Sequence, residues 1–135
     1  VEGERAYQRH QRGERQWAET VIGRPDFYRG KLLVLVDHWT GSMGEGIAIG
    51  LHAGAGASII GTPMAGLRGA IESFPLPCLG AGIRVPIERI FTVDGEPREN
   101  VQPDVLVSEE ELFSAGEADA VLNVALRLAA PAQIP

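Results

Sequence analysis

Read by hydropathy, the chain alternates between polar runs and short, unbroken apolar ones. Residues 4 to 21 carry only sparse apolar positions (Ala6, Tyr7, Trp17, Ala18, Val21) among charges at helical spacing, which predicts a helix with a weak inner stripe. "GRPDFYRG", residues 23 to 30, has turn chemistry. "KLLVLVD", 31 to 37, is a continuous branched run, as a strand covered on both faces requires. From Ser42 to Ala53 the period becomes helical, with Thr40 or Ser42 as N-cap, Glu45 in the first turn, and Gly54 and Gly56 as the stop.

"ASIIGTP" predicts a second short buried strand, and "MAGLRG" a loop. "AIESFPLP", "GIRVPIERIF" and "TVDGEP" alternate like strands, with "VDGE" as a hairpin turn. Pro75, Pro77 and Pro86 place that set at edges or strand ends. "VQPDVLV" is a last extended stretch, and 109 to 129 reads as one helix. The β-α-β order over 31 to 61 makes this an α/β chain with a parallel pair.

Composition narrows the function classes. The 135 residues fit one domain, and 44% hydrophobic with 22% charged residues is ordinary for a globular chain. A net charge of −6 argues against a nucleic-acid surface, and the N-terminal arginines are interleaved with glutamates. The lone Cys78, between prolines, excludes an internal disulfide and reads as a small inert apolar residue. No pairing of His, Cys, Asp or Glu has metal-ligand spacing, so neither a metal nor a cofactor is expected. No run reaches the ~20 apolar residues of a membrane helix, and the charged opening "VEGERAYQRH" reads as a fragment without a signal peptide. The compartment stays open.

The candidate chemistry is at Ser42, where a buried strand gives way to a helix. One reading is an N-cap. A phosphate cradle is excluded, because "GSMGEG" fits no phosphate-loop pattern and Glu45 would repel the ligand. The other reading is a nucleophile, held by the sheet beside helix N-terminal amides that can stabilise an oxyanion. Thr40 stands where a G-x-S-x-G elbow needs its first glycine, which disfavours an α/β-hydrolase.

Over residues 30 to 107 the chain resembles the C-terminal processing, or tail-specific, serine peptidases and their tricorn-core relatives. That family shows an apolar strand, S-A-S-A-x-E opening a helix, a strand ending G-E-x-T-x-G-x-G, and a closing "G-V-x-P-D". "VLVDHWTGSMGEG" and "FTVDGEPRENVQPDVLV" match in order and spacing, and the family serine, three before the glutamate, falls on Ser42. The resemblance implies a ClpP/crotonase-like fold and a peptide or protein substrate, and homo-oligomers are compatible with it. It also implies an oxyanion hole using the N–H of Met43, and a supporting acid at Glu99.

Departures from the pattern are equally specific. Leu67 occupies the lysine position of the Ser–Lys branch, and the neighbouring Arg68 guanidinium stays protonated. The tricorn-like branch uses a histidine lying upstream of this stretch, and no "D-L-R-x-N-x-G-G" loop precedes residue 30. Of the three histidines, His38 is the nearest in sequence to Ser42, His52 lies along the helix, and His10 belongs to the charged N-terminal helix. Each reads as a surface or packed residue. Asp104 reads as a turn anchor, Glu45 mainly as structural, and Asp37 as a loop cap. Trp39 reads as core or subsite in equal measure, and Thr62 and Pro63 fall where the family lines its cleft.

These observations together predict the C-terminal portion of a serine peptidase domain. Its divisions are a helix and linker (1–29), a family core (30–107), and a helix and tail (108–135). Ser42 would attack with a base supplied from outside the chain, so the chain alone would be inactive. The alternative is a non-catalytic ligand-binding or scaffold module, a use that retinoid-binding relatives make of the same fold. A crotonase-type acyl-CoA enzyme is a third, weaker reading.

Overall fold

The N-terminal stretch is a hairpin and not the expected helix. In the computed structural model, which describes residues 3–114 and 119–130, β1 (Glu4–Arg12) pairs antiparallel with β2 (Arg15–Ile22). Gly13 opens the two-residue loop at φ +59°, the conformation such hairpin loops reserve for glycine. The helical reading fails for a physical reason. The side chains that β1 buries are polar ones, Gln8 and His10, so the period of two leaves no hydrophobic trace.

The centre of the chain folds as expected. β3 (Leu33–Val36) passes through α1 (Met43–Ala55) to β4 (Ser58–Gly61), and the two strands pair in parallel. Gly56, at φ +68°, stops α1 as a left-handed C-cap. After β4 come β5 (Ile71–Leu76) and β6 (Ala81–Pro86), an exposed antiparallel pair, then β7 (Arg89–Phe91), which pairs with β1. The "VDGE" turn follows β7, with the Gly95 N–H donating to Thr92 O. β8 (Val105–Leu106) runs parallel to β4 and completes the sheet β3-β4-β8.

β4 is the spine because both its faces are covered. Ile59 turns to α1, packing with Val36 and Ala48. Ile60 turns the other way, to Val107 and to Ala120, Val124 and Ala125 of a C-terminal helix. Each isoleucine buried in this way contributes about 1.5–3 kcal/mol. The single helix expected over 109–129 is described as two segments, α2 (Glu109–Ser114) and α3 (Ala120–Ala129). Asp119 caps α3 by accepting the Leu122 N–H at 2.9 Å. The expected C-terminal tail from residue 131 on lies outside the described residues, as do residues 115–118.

The small residues of α1 set where the hairpin lies. Gly46 faces Gln8, Gly50 the Tyr7 ring and Gly54 the Val21 side chain, and a Cβ on Gly50 would meet the ring at 3.1 Å. One side of α1 thus seals the parallel sheet, and the other approaches β1 and β2 closely enough to form a cleft.

Candidate active site

Ser42 sits at the junction the sequence marks. Asp37 ends the approach from β3, its Oδ1 accepting the N–H groups of Trp39 and Thr40 at 2.9 and 3.1 Å. That is the loop cap expected of it. Ser42 then takes φ +54°, ψ −111°, and among the described residues it alone has a positive φ without being glycine. Such a conformation costs about 1–3 kcal/mol and persists only where the surroundings enforce it. It turns an exposed Ser42 side chain into the cleft at the first turn of α1.

Glu45 supplies the enforcement. It is fully buried. Its Oε2 accepts the Ser42 N–H at 2.7 Å and its Oε1 the Leu67 N–H at 3.0 Å. The Ser42 hydroxyl has the matching capping-box placement over Glu45, but no side-chain cap hydrogen bond is formed. Arg98, also buried, brings Nη2 to 3.7 Å from Glu45 Oε2 and donates to Leu67 O through Nε and Nη2, at 2.8 and 2.5 Å. One carboxylate and one guanidinium therefore tie the Ser42 turn, the Leu67 loop and the turn at Arg98 together. Glu45 is structural in the sense the sequence indicates, and what it structures is the serine.

The cleft, about 950 Å³, lies between α1 and the hairpin. Ser42 and Met43 both line it. The Met43 N–H is one of the first-turn amides that a helix leaves without an internal acceptor, on the positive end of its dipole. Leu67 carries its apolar side chain against Gly41, at the edge of this turn. No proton acceptor is available from that position.

The other expected residues fall elsewhere. Glu99 lines a second cavity of about 580 Å³, with Arg68 Nε at 3.6 Å from its Oε1, so the structure does not bring it into the Ser42 cleft. His38 is exposed, tilted against Trp39. Trp39 itself is 82% exposed, so its core reading falls. His52 Nδ1 lies 2.9 Å from Ala57 O, at the far end of α1. Asp104 accepts the Ile59 N–H at 2.7 Å, the backbone anchoring expected of it. Thr62 keeps a buried Oγ1 without a partner, and Cys78 is exposed and not a packed apolar residue.

Sequence reasoning missed His10. It is buried in β1 and lines the same cleft as Ser42, contrary to its placement on a solvated helix. Its Nδ1 contacts Glu88 Oε1 at 2.5 Å, its Nε2 lies 3.2 Å from Glu19 Oε2, and its ring stacks on Trp17. Tyr7 donates to Glu19 Oε2 at 2.8 Å, a bond that raises the phenol pKa above 10.0, assisted by burial. The usable signal was the "RGER" loop, a hairpin turn between two polar period-two runs. Among the described residues no three His, Cys, Asp or Glu side chains are grouped to hold a metal ion, and no helix is long and apolar enough to cross a membrane.

The chain joins an α/β core to a strained serine at a strand-to-helix junction. It belongs to peptidase family S41, whose model matches residues 2–107. Solved structures share the fold. A chain from Parabacteroides merdae ATCC 43184, described as a candidate peptidase, superposes with a TM-score of 0.81 at 15% identity. That match covers 97% of this chain and 44% of the other. The photosystem II D1 C-terminal processing protease gives 0.62 at 23% identity, covering 81% and 28%. A lipoprotein from Streptococcus agalactiae gives 0.60 at 16%, covering 82% and 43%. The chain thus spans less than half the length of each of these structures. No curated protein matches it in sequence.

Proposed function

We propose that this chain carries the nucleophile of a serine-type endopeptidase of the C-terminal processing kind, in its tricorn-core-like branch. The observation that carries this reading is the strained Ser42 junction, exposed in a cleft and held by Glu45. Ser42 Oγ attacks the scissile carbonyl, and the Met43 N–H stabilises the resulting oxyanion. A serine hydroxyl needs a base to take its proton. With Leu67 at the lysine position, that base is supplied from outside this chain, and Glu99 is the acid that would support it.

The rival is a non-catalytic binding module. The apolar Leu67 favours it, as does the separation of Glu99 from the cleft of Ser42. A fluorophosphonate probe decides between them. The full-length protein should be labelled at Ser42 and the Ser42→Ala variant should not. A full-length protein left unlabelled beside a reacting control peptidase removes the enzyme reading.

A further inference from the structure

The hairpin wall of the Ser42 cleft is polar where an interior should be apolar. Gln8 and His10 are 5% and 6% exposed. Gln8 Nε2 donates to Glu19 Oε2 at 3.3 Å, which orients the amide and leaves its Oε1, an acceptor, buried without a partner. His10 Nδ1 is engaged by Glu88. Its Nε2 lies near Glu19 but off any hydrogen-bond axis, and is likewise buried without a partner. A buried polar atom left in this state is unfavourable, because its lost hydration is not replaced by another hydrogen bond. Two of them, side by side on one cleft, call for a ligand group.

Charge selects the kind of group. Glu19 and Glu88 flank one imidazole, so the cluster is negative whether or not His10 carries a second proton. Arg98 does not offset it, being engaged by Glu45 and Leu67 O. Arg24 and Asp26, also on the cleft, balance each other. An anion is therefore repelled. Among the described residues no three His, Cys, Asp or Glu side chains are grouped to hold a metal ion. Val21, Ile47 and Leu51 give the cleft apolar walls, suited to an alkyl stem carrying a cationic head.

The cluster and the serine share this cleft. Tyr7 lies over Gly50 and Gln8 over Gly46, so β1 runs antiparallel to α1. Two more strand residues advance about 6.6 Å, and the four helix residues from Gly46 back to Ser42 span about 6 Å. His10 and Ser42 thus line one cleft, from the strand side and the helix side.

We infer that Gln8, His10, Glu19 and Glu88 form a subsite for the side chain of a lysine or arginine in a peptide lying across Ser42. Its role in cleavage specificity rests on the peptidase reading, whereas the binding itself does not. The test is calorimetric titration of the full-length protein with an alanine-based peptide bearing one central lysine. Parallel titrations use its arginine and acetyl-lysine counterparts and n-butylamine. A charge-assisted hydrogen bond to a buried acceptor makes the lysine and arginine peptides bind at least about tenfold more tightly than acetyl-lysine.

Glu19→Gln and Glu88→Gln should each reduce that preference to below about threefold while thermal melting shows the fold intact. Glu19 is 42% exposed and tolerates the change even if Glu88 does not. Equal binding of the lysine and acetyl-lysine peptides overturns the subsite, as does a preference that survives Glu19→Gln. Butylamine binding as tightly as the peptides overturns the assignment to a peptide. A preference retained in a protein whose Ser42 resists the fluorophosphonate removes the peptidase reading alone. Labelling without the preference removes the subsite alone.

Discussion

Replacing Glu45 with glutamine changes one oxygen for an amide nitrogen and removes one charge from the middle of the candidate site. Only one of its two accepted bonds, from Ser42 N–H and from Leu67 N–H, can survive, because the new NH2 group must face a donor. The lost charge-assisted bond is worth about 1.5–3 kcal/mol, and the opposed N–H adds about 1–3 more. Arg98, 3.7 Å away and 5% exposed, also loses its counter-ion while keeping Leu67 O. Breaking a buried pair from one side costs about 3–5 kcal/mol, a range that already contains these losses. Since a domain holds only about 5–15 kcal/mol in total, Glu45→Gln should be severe but measurable. The assay is the urea unfolding midpoint at constant slope, with Arg98→Met and the double variant completing a cycle. The double variant should cost less than the two single losses combined, by at least about 0.5 kcal/mol. A Glu45→Gln protein within about 0.5 kcal/mol of wild type would refute the clamp, and so would strict additivity.

Two further outcomes are expected. Ser42→Gly should be more stable than Ser42→Ala by about 1 kcal/mol, because glycine adopts φ +54° without strain, and paired thermal melts read the difference. Equal melting temperatures would show that the junction stores no strain. Tyr7 holds its proton more tightly when folded because it donates to Glu19, so its contribution is complete below about pH 10 and is lost as pH rises through the folded value. Tyr7→Phe should abolish that alkaline loss in urea midpoints, whereas parallel decline of both proteins would contradict it.

The parallel core was legible because it is written in buried branched residues. "KLLVLVD" and "ASIIGTP" are unbroken branched runs and both form strands, although only β4 is covered on both faces, β3 lying at the sheet edge with Leu35 41% exposed. Ser42, Glu45 and Gly56 punctuate α1. The hairpin over residues 4–22 was not legible. Its buried positions are Gln8 and His10, and its arginines and glutamates fall at spacings that imitate helix ion pairs. The same cause hid part of the site. Glu88 and His10 are 78 residues apart and meet only because β1 pairs with β7. Arg98 could not be read as the partner of Glu45, since a lone arginine before a "QPD" turn signals nothing until the Leu67 loop folds beneath it. Ser42 and Met43, adjacent in sequence, needed no such tertiary meeting.

The glycines at 46, 50 and 54 have a consequence for how this groove can change. Its breadth is gauged at Gly50, where one added carbon would meet the Tyr7 ring at 3.1 Å and act as a shim, whereas at Gly46 and Gly54 the same carbon would find ordinary contact distances of 3.4 and 3.8 Å. The bore of the groove can thus be retooled from the helix side, at a point about two turns along α1 from the serine junction.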